Sequence, residues 1–344
     1  MKVLFQSRNN LFDVVGGDTV QILKTKEYLE KLGVTVDISR LEETNVTDYD
    51  LVHFFNTTGK IDEIYLKCQK LKKMGLPIVL SPIYWDSNDF WNFYKSYDIR
   101  SRLNITLHHT LSFIRDPNVK RLKLLNMADI LLPNSEIEKN LIIDKFGISD
   151  SKFHIVYNAV DKHFFEADSK SFIDDYGFDD FIMCSGRVEP RKNIHSLIKA
   201  VNNTDLRLIL VGNYNKDDGY YSYCKKIAGK NIQFLGFFNQ NKLSSAYAAA
   251  KIHILPSFYE TPGLSSLEAA AAGCNIVSTK IGSAKEYFGN LAQYCEPQSV
   301  DSIKEAIFNA FNTKNSSKLK ERIKKYSWEN VAIQTLEGYK MVIN

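Results

Sequence analysis

Apolar and polar positions in the first half of the chain follow two different periods. Short continuous apolar runs indicate buried strands, and strict alternation at Val34, Val36 and Ile38 indicates a further strand. Residues 18–32 carry apolar side chains at helical spacing and are followed by Gly33, so they predict a helix with a defined end. The strands predicted in this half are residues 3–5, 34–38, 51–55, 77–80, 128–132 and 154–157.

The second half of the chain repeats this rhythm after a polar stretch at residues 161–180. Strands that alternate with helices are typical of parallel sheets covered by helices on both faces. We therefore predict an α/β protein with two doubly wound domains, residues 1–165 and 166–326, and a capped final helix at residues 327–344. The strands predicted in this half are residues 181–184, 206–211, 231–235, 252–255 and 276–278.

Length and composition narrow the class of protein. The chain has 344 residues, which is enough for two domains of ordinary size. Its 44% of apolar residues argues against a disordered chain. A net charge of +4 without a concentrated basic stripe argues against a protein that binds nucleic acid.

Cysteine usage and the absence of long apolar runs bear on the compartment. The five cysteines are scattered and never form a Cys-x-x-Cys pair, so they predict buried thiols in a reducing compartment. The chain begins directly with a predicted strand rather than a signal peptide, and no apolar run approaches the roughly 18 residues of a membrane span. These features predict a cytoplasmic protein, with peripheral membrane contact left open.

Near the C-terminus, two carboxylates flank a turn that opens a helix of small residues. Glu260 and Glu268 stand eight positions apart, with Thr261, Pro262 and Gly263 forming the turn. The N-terminus of a helix offers N–H groups and a positive dipole end, which suit a phosphate. Glu268 could accept hydrogen bonds from vicinal hydroxyls such as those of a ribose, and Glu260 could face a sugar. The alternative is an ordinary turn with an acidic helix start.

A second candidate site follows the first predicted strand of the second half. Gly186 permits a tight turn there, and Arg187 and Lys192 come just before a helix. A guanidinium paired with an ammonium is a common way to neutralise phosphate oxygens, so both side chains could reach a pyrophosphate held by the Gly263 turn. The alternative is a solvated basic loop balanced by Glu189.

Two adjacent glycines, Gly16 and Gly17, lie between the first predicted strand and the first predicted helix. Paired glycines at such a place let the backbone approach a ligand closely. The full Gly-x-Gly-x-x-Gly fingerprint of dinucleotide-binding proteins is missing, which argues against hydride transfer. A plain turn is the alternative for this segment.

Taken together, these motifs resemble the signature of the family 4 retaining glycosyltransferases. They occur in the order of the family and extend over nearly the whole chain. The resemblance implies a GT-B fold, in which two Rossmann-like domains face each other across a cleft and the final helix, residues 327–344, packs back on the N-terminal domain. The motifs that carry it are Gly16-Gly17, Asn158-Ala159-Val160-Asp161, Gly186-Arg187-Val188 with Lys192-Asn193, and Glu260 to Glu268 with Gly263-Leu264 inside and Ala269 after it.

The resemblance also implies a role for each matching residue. Arg187 and Lys192 would bind the donor diphosphate and Glu260 would contact the donor sugar, so these three are the expected catalytic residues. Because the two cations take the place of a metal, neither a metal ion nor a cofactor is expected beside the nucleotide-diphosphate sugar. The other donor-binding residues implied are Gly17, Phe237 at the nucleobase, Gly263, Leu264 and Ser265 at the phosphates, and Glu268 at the ribose.

The acceptor side departs from the family pattern. Many members carry a His there in the first domain, whereas this chain has Tyr84, Trp85 and Asp86 in the equivalent stretch. These three residues could shape an acceptor pocket, or they could be packing followed by a loop carboxylate. His108 and His109, on a predicted helix, are alternative candidates.

The expected function is transfer of a hexose-type sugar from a nucleotide-diphosphate donor to a glycan, glycoprotein or lipid-linked acceptor. The resemblance implies retention of the anomeric configuration, and no side chain stands out as a nucleophile. The departing phosphate would then take the acceptor proton in a front-face displacement. The alternatives are a sugar-nucleotide epimerase of the same architecture, a two-domain binding protein, and a catalytically silent partner subunit of a glycosyltransferase.

Overall fold

The computed structural model describes residues 1–13, 16–40, 45–56, 61–86, 90, 117–214 and 219–343. These residues form two units, each built on one parallel sheet. The chain passes from the first to the second unit at Val160, earlier than the predicted boundary after residue 165, because Phe164 is buried against Tyr247 of the second unit. Of the described residues, the first unit takes those within Met1–Asp86, Lys95–Ala159 and Tyr326–Asn344, and the second takes those within Ser87–Tyr94 and Val160–Lys325.

In the described part of the first unit, the sheet has the strand order β2-β1-β3-β4-β5, with every pair parallel. β3 and β4 are buried throughout, as expected when helices cover both faces of a parallel sheet. The strands are β1 (Lys2–Ser7), β2 (Thr35–Arg40), β3 (Leu51–Phe55), β4 (Ile78–Ser81) and β5 (Ile130–Leu131). The helices are α1 (Gly17–Lys31), α2 (Ile61–Lys73), α3 (Pro117–Met127), α4 (Glu136–Phe146) and the C-terminal helix (Trp328–Lys340).

Residues 154–157 do not form the strand that their apolar pattern predicts. The segment runs beside the end of β5, where the His154 N–H donates to the Leu131 carbonyl at 3.0 Å and the Val156 N–H donates to the Pro133 carbonyl at 2.9 Å. Pro133 has no N–H to return a bond, so the ladder stops at the end of β5.

The described part of the second unit contains a sheet of six parallel strands in the order β11-β10-β9-β6-β7-β8. Apolar residues from one face of this sheet pack with the helices that cover that face and form a core. The strands are β6 (Phe181–Ser185), β7 (Leu208–Val211), β8 (Ile232–Gly236), β9 (Ala250–Leu255), β10 (Asn275–Thr279) and β11 (Gln293–Cys295). The helices are α5 (Lys170–Tyr176), α6 (Ile194–Val201), α7 (Gly219–Ile227), α8 (Gln240–Ala249), α9 (Leu264–Ala272), α10 (Ala284–Phe288), α11 (Val300–Phe311) and α12 (Ser316–Ile323).

The C-terminal helix is held in the first unit by a buried hydrogen bond. The Tyr339 hydroxyl lies 2.7 Å from Nδ1 of His53 on β3, and Nε2 of the same ring lies 2.9 Å from the Ser81 hydroxyl on β4. Burial lowers the pKa of His53 to about 3, so the ring is neutral and each nitrogen needs one partner. The hydrogen bond therefore ties the end of the chain to the middle of the first sheet.

Two further features bear on the expected compartment. All five cysteines lie in the described residues and are buried free thiols, so the prediction of buried thiols is confirmed. Across the helices of the described ranges, none combines the length and the apolar character that crossing a membrane requires.

Replacing Tyr339 by Phe should lower the free energy of unfolding by about 1–3 kcal/mol, because His53 would keep a buried ring nitrogen without a partner. Urea unfolding of the whole chain measures this loss. Tyr65→Phe is the matched control, since the Tyr65 hydroxyl accepts an exposed bond from Gln69 and its removal should change stability by less than about 0.5 kcal/mol. Equal losses in both variants would show that the bond to His53 does not anchor the helix.

Candidate functional site

Two predicted site segments of the second unit meet because the strands that precede them are neighbours. β6 ends at Ser185, and its parallel partner β9 ends at Leu255. The carboxyl ends of parallel strands lie at one edge of a sheet, which is where open α/β sheets bind ligands. The two segments are joined directly, since the Phe258 N–H donates to the Arg191 carbonyl at 2.9 Å.

The turns that follow β6 and β7 each carry a glycine in a conformation that other residues rarely adopt. Gly186 has a φ of 144° and Gly212, which follows β7, has a φ of 141°, values that favour glycine. A Cβ added to Gly212 would lie 2.1 Å from the Gly186 carbonyl oxygen, so the two turns touch backbone to backbone. This close contact fixes the start of the segment that carries Arg187 and Lys192.

Lys192 and Glu260 form a buried ion pair at the centre of the site. The Lys192 Nζ lies 2.8 Å from the Glu260 Oε2, and the two side chains are only 12% and 8% exposed. Burial by itself raises the pKa of Glu260, but the nearby charges of Lys192 and Arg191 outweigh burial and hold that pKa below its ordinary value. Glu260 is therefore an ionised carboxylate that is held by a cation within the protein.

Sequence reasoning overlooked Arg191, which lies beside Glu260. Its Nη1 is 3.7 Å from the Glu260 Oε2 and donates to the Tyr259 carbonyl at 3.2 Å, while its Nη2 is 2.9 Å from the Glu189 Oε1. Arg187, which was expected to share the diphosphate with Lys192, is half exposed, and its Nη2 is 3.4 Å from Glu189. The alternation of Arg187, Glu189 and Arg191 could have signalled one carboxylate shared by two guanidinium groups.

The backbone of Glu260 is clamped by the loop after β10, which sequence reasoning also missed. The Glu260 N–H donates to the Ile281 carbonyl at 3.2 Å, and the Ser283 N–H donates to the Glu260 carbonyl at 3.0 Å. Gly282, with a φ of 128°, lies between them, and a Cβ there would stand 2.1 Å from the Glu260 carbonyl oxygen. A glycine soon after a predicted buried strand was the available signal.

The turn before α9 brings a helix N-terminus against the Glu260 side chain. Gly263 has a φ of 85°, and a Cβ on it would lie 2.9 Å from both the Glu260 Cγ and the Leu255 Cδ1. The helix begins at Leu264, so the N–H groups of Leu264 and Ser265 have no carbonyl one turn earlier within the helix. Such N–H groups, together with the positive end of the helix dipole, are suited to an anion.

Glu268 lies one turn further along the same helix and is half-buried. Burial raises its pKa to about 7, an effect that Asp161 adds to and that a hydrogen bond from Tyr247 opposes. The Tyr247 hydroxyl donates to the Glu268 Oε2 at 3.3 Å. The structure therefore places a carboxylate with a raised pKa on the helix that also presents the free N–H groups.

Phe237 lies just past β8 and presents its ring to the surface. The preceding Gly236 has a φ of 73° and turns the chain at the end of the strand. The Phe237 side chain is 68% exposed, which is unusual for a ring of this size. Its position at the same edge of the sheet as the other site loops suits a face that a flat ligand covers.

In the first unit, Gly17 is the first residue of α1 and Gly16 precedes it as the cap. Arg8, directly after β1, donates from Nε to Asp18 at 2.8 Å and from Nη2 to Thr19 at 3.2 Å. The ion pair between Arg8 and Asp18 thus spans the paired glycines and joins the end of β1 to the start of α1. Sequence reasoning missed this pair.

The three acceptor candidates of the first unit have different surroundings. Tyr84 is only 2% exposed, and the Arg121 guanidinium lies 5.0 Å from the centre of its ring. This burial argues against a direct contact of Tyr84 with an acceptor. Trp85 is half-buried, and Asp86 forms an ion pair with Lys145.

A buried carboxylate holds the segment that carries these candidates. Glu138 accepts the Tyr84 N–H and the Asn134 N–H, both at 2.7 Å, and burial raises its pKa to about 7. Ile83, just before Tyr84, has a φ of 49°, which is rare for a β-branched residue. The contacts of Glu138 thus fix a strained turn at the end of β4.

The remaining sequence candidates concern histidines and metal ions. His108 and His109 lie outside the described residues. In the ranges that the structure does describe, no three His, Cys, Asp or Glu side chains come together as a metal site. The expectation that the reaction needs no metal stays a prediction.

Comparison with known protein families gives a match for most of the second unit. Residues 169–329 match the family described as glycosyl transferases group 1. The O-antigen chain mannosyltransferase B of Escherichia coli is 32% identical over 170 residues, which are 46% of this chain and 45% of that protein. A Campylobacter jejuni N-acetylgalactosamine-N,N'-diacetylbacillosaminyl-diphospho-undecaprenol 4-alpha-N-acetylgalactosaminyltransferase is 30% identical over 168 residues, 47% of this chain and 45% of that protein. The chain therefore spans about half the length of these curated relatives.

Solved structures extend the comparison to both units. Sucrose-phosphate synthase from Thermosynechococcus elongatus matches with a TM-score of 0.79 at 15% identity, over 99% of this chain and 98% of that one. Anabaena HepE in complex with UDP matches with a TM-score of 0.71 at 16% identity, over 99% of this chain and 100% of that one. These are GT-B glycosyltransferases, so the predicted GT-B fold is confirmed. For residues 169–329, the match to glycosyl transferases group 1 confirms the predicted resemblance to a glycosyltransferase family.

Replacing Lys192 by Met should destabilise the chain by roughly 3 kcal/mol, because the Glu260 carboxylate would stay buried without its nearest cation. Glu260→Gln should cost a similar amount, and the double variant should cost clearly less than the sum of both. Urea unfolding measures these values. Lys280→Met is the control, since its pair with Glu296 is half exposed and should matter by less than about 0.5 kcal/mol. Additive losses at Lys192 and Glu260 would contradict the coupling.

Stability should also report the raised pKa of Glu268. The folded pKa of about 7 lies above the ordinary 4.5, so the contribution of this group is fully present below pH 4.5 and is lost as the pH rises through 7. The unfolding free energy of the wild type minus that of Glu268→Gln should fall by on the order of 2 kcal/mol between pH 5 and pH 8. Glu138 is common to both proteins and cancels. A difference that does not change with pH would contradict the raised pKa.

Proposed function

We propose that this chain, whose residues 169–329 carry the glycosyl transferases group 1 domain, transfers a hexose-type sugar from a nucleotide-diphosphate donor to an acceptor. One observation carries the proposal. The buried pair of Lys192 and Glu260 lies against the N-terminus of α9, and Glu268 lies one turn along that helix. A cation, a set of free N–H groups and two carboxylates thus occupy one edge of the second sheet.

Each part of the donor has a matching group in this arrangement. Lys192 would bind a phosphate oxygen while it keeps its bond to Glu260, and the N–H groups of Leu264 and Ser265 would bind further phosphate oxygens. Arg187 is half exposed and would turn from Glu189 toward the diphosphate. The ribose hydroxyls would donate to Glu268, and the exposed ring of Phe237 would stack on the nucleobase.

The chemistry of this site favours retention without a covalent intermediate. Glu260 is tied to Lys192 and its backbone is clamped by Gly282, so it is held to position the sugar rather than to attack it. The acceptor hydroxyl would approach from the face that the diphosphate leaves, and a phosphate oxygen would take its proton. Lys192 and Arg187 would stabilise the charge that develops on the departing diphosphate, which is the task a metal performs elsewhere.

The acceptor side is proposed from the relatives and from the first unit. The matching curated proteins are named for O-antigen chains and for a diphospho-undecaprenol-linked sugar, which favours a glycan or a lipid-linked glycan as acceptor over a glycoprotein. Trp85 and Asp86, beside the strained turn at Ile83, would line its site. Free buried thiols suit a reducing compartment, so we propose a cytoplasmic enzyme with peripheral membrane contact.

Binding of nucleoside diphosphates tests the donor site directly. In buffer with EDTA, one member of the set UDP, GDP, ADP, TDP and CDP should raise the melting temperature, because a ligand bound only by the folded state stabilises it. Arg187→Ala and Glu268→Ala should each weaken this shift at least about tenfold in nucleotide concentration. Differential scanning fluorimetry with titrated nucleotide measures the effect.

A matched control and a clear contrary result go with this test. Lys280→Ala removes a half-exposed cation that the proposal leaves out of the donor site, and it should bind nucleotide as the wild type does. A shift that appears only when divalent metal is added would overturn the metal-independent site. If no nucleotide shifts the melting temperature even at millimolar concentration, the donor site fails and a silent partner subunit becomes the better description.

A further inference from the structure

A chain of buried hydrogen bonds runs beneath the candidate donor site and ends on Glu268. The Ser266 hydroxyl on α9 lies 3.3 Å from Nδ1 of His253 on β9, and Nε2 of that ring lies 2.8 Å from the Ser185 hydroxyl at the end of β6. The Ser185 hydroxyl lies 2.7 Å from the Tyr247 hydroxyl on α8, which donates to Glu268 at 3.3 Å. This chain of hydrogen bonds therefore links two strands and two helices below the ligand-binding edge of the sheet.

The ionised carboxylate sets the direction of every bond in this chain. A carboxylate only accepts, so the Tyr247 hydroxyl donates its single hydrogen to Glu268. The Tyr247 oxygen then accepts from Ser185, the Ser185 oxygen accepts from the Nε2–H of His253, and the bare Nδ1 accepts from the Ser266 hydroxyl. Each group gives one hydrogen onward, and this leaves one consistent arrangement.

The interior members of the chain keep their protons across the ordinary pH range. Burial lowers the pKa of His253 to about 3 and raises that of Tyr247 well above its usual value, so both remain neutral. Glu268 is the member that titrates, and the groups that face it are Tyr247 from α8 and Asp161 from the segment before α5. The Tyr247 hydroxyl is thus a fixed donor to Glu268, and Glu268 is a carboxylate that changes its charge near neutral pH.

We propose that Tyr247 is a positioning residue, which holds one oxygen of Glu268 so that the other accepts the hydroxyls of the donor ribose. This inference rests on the proposed function, because it assumes that the ligand is a nucleoside diphosphate. A carboxylate that accepts a hydrogen bond from a buried donor at one oxygen cannot rotate freely. Its other oxygen is then a fixed acceptor, which binds a ribose better than a deoxyribose that lacks one of the hydroxyls. Tyr247 is fully buried and acts on the ribose only through Glu268.

The test compares UDP with 2′-deoxyuridine diphosphate, or the matching pair if the nucleotide panel selects another base. Isothermal titration calorimetry at pH 8 gives both dissociation constants for the wild type, Tyr247→Phe and Glu268→Gln. The wild type should prefer the ribonucleotide by about tenfold, as expected for a lost hydrogen bond to a charged group. Tyr247→Phe should reduce this preference to roughly threefold or less, and Glu268→Gln should reduce it similarly.

The control removes a phenol hydroxyl from another part of the same unit. The Tyr294 hydroxyl donates to the Gly289 carbonyl at 2.6 Å, so Tyr294→Phe loses one bond of similar kind and should keep the full preference for the ribonucleotide. If Tyr247 serves only the packing of α8, Tyr247→Phe will weaken both nucleotides equally and the ratio will stay as in the wild type. That result overturns the inference.

A second variant and a pH series keep the proposal testable if Tyr247→Phe does not fold or binds weakly. If Tyr247→Phe does not fold, Ser185→Ala removes the donor to the Tyr247 oxygen and should lower the preference about twofold to threefold; an unchanged ratio there overturns the proposal. In Tyr247→Phe the pH below which ribonucleotide affinity falls should also move upward, because a bond that favours the ionised carboxylate is gone. A midpoint that stays in place counts against the proposal.

Failure of the proposed function would look different from failure of this inference. If the wild type binds neither nucleotide, the donor site itself is refuted. If it binds both with equal affinity, Glu268 does not bind the ribose hydroxyls, and the role of Tyr247 falls with it. If only Glu268→Gln loses the preference, the donor site stands and the positioning role of Tyr247 is refuted.

Discussion

The candidate site depends on the buried ion pair between Lys192 and Glu260. A carboxylate in this position loses the solvation of water, and the charges of Lys192, at 2.8 Å, and of Arg191, at 3.7 Å, keep it ionised. The pair also sets how closely its neighbours approach. The Gly263 turn lies against the Glu260 side chain and Gly282 lies against its backbone, and at both places a Cβ would come within 2.9 Å of Glu260. Cation, carboxylate and helix N-terminus are thereby held as one body within the second unit.

The strand order of the second sheet is what brings these parts together. β6 stands between β9 and β7, and β10 stands on the other side of β9, so loops from distant parts of the sequence emerge side by side. Their backbones approach too closely for side chains at Gly212 and Gly282. These two glycines are therefore a consequence of a crowded sheet edge. Beneath that edge, the hydrogen-bond chain from Ser266 to Glu268 gives each of its buried polar side chains a partner.

The first unit shows a different relation between pattern and structure. The aromatic and acidic residues at 84–86 look like a ligand-facing group in the sequence, yet Tyr84 is buried and Asp86 is paired with Lys145. Glu138, which is more than 50 residues away in the sequence, causes the burial of Tyr84. It accepts a hydrogen bond from the Tyr84 N–H and so holds the strained turn at Ile83. Apolar periodicity cannot show such a distant carboxylate, which pairs with the backbone and not with a side chain.

The sequence by itself determined the features that short-range geometry governs. The periods of apolar residues located most strands and helices. The spacing of Glu260 and Glu268 also predicted a carboxylate on each side of a helix start, because only the short turn at Gly263 and the first helical turn separate the two residues. Only the tertiary structure decided that Arg191 stands beside Glu260, that Tyr247 and His253 support Glu268, and that residues 154–157 miss the ladder. Those outcomes follow from which strands become neighbours, and local spacing carries no information about that choice.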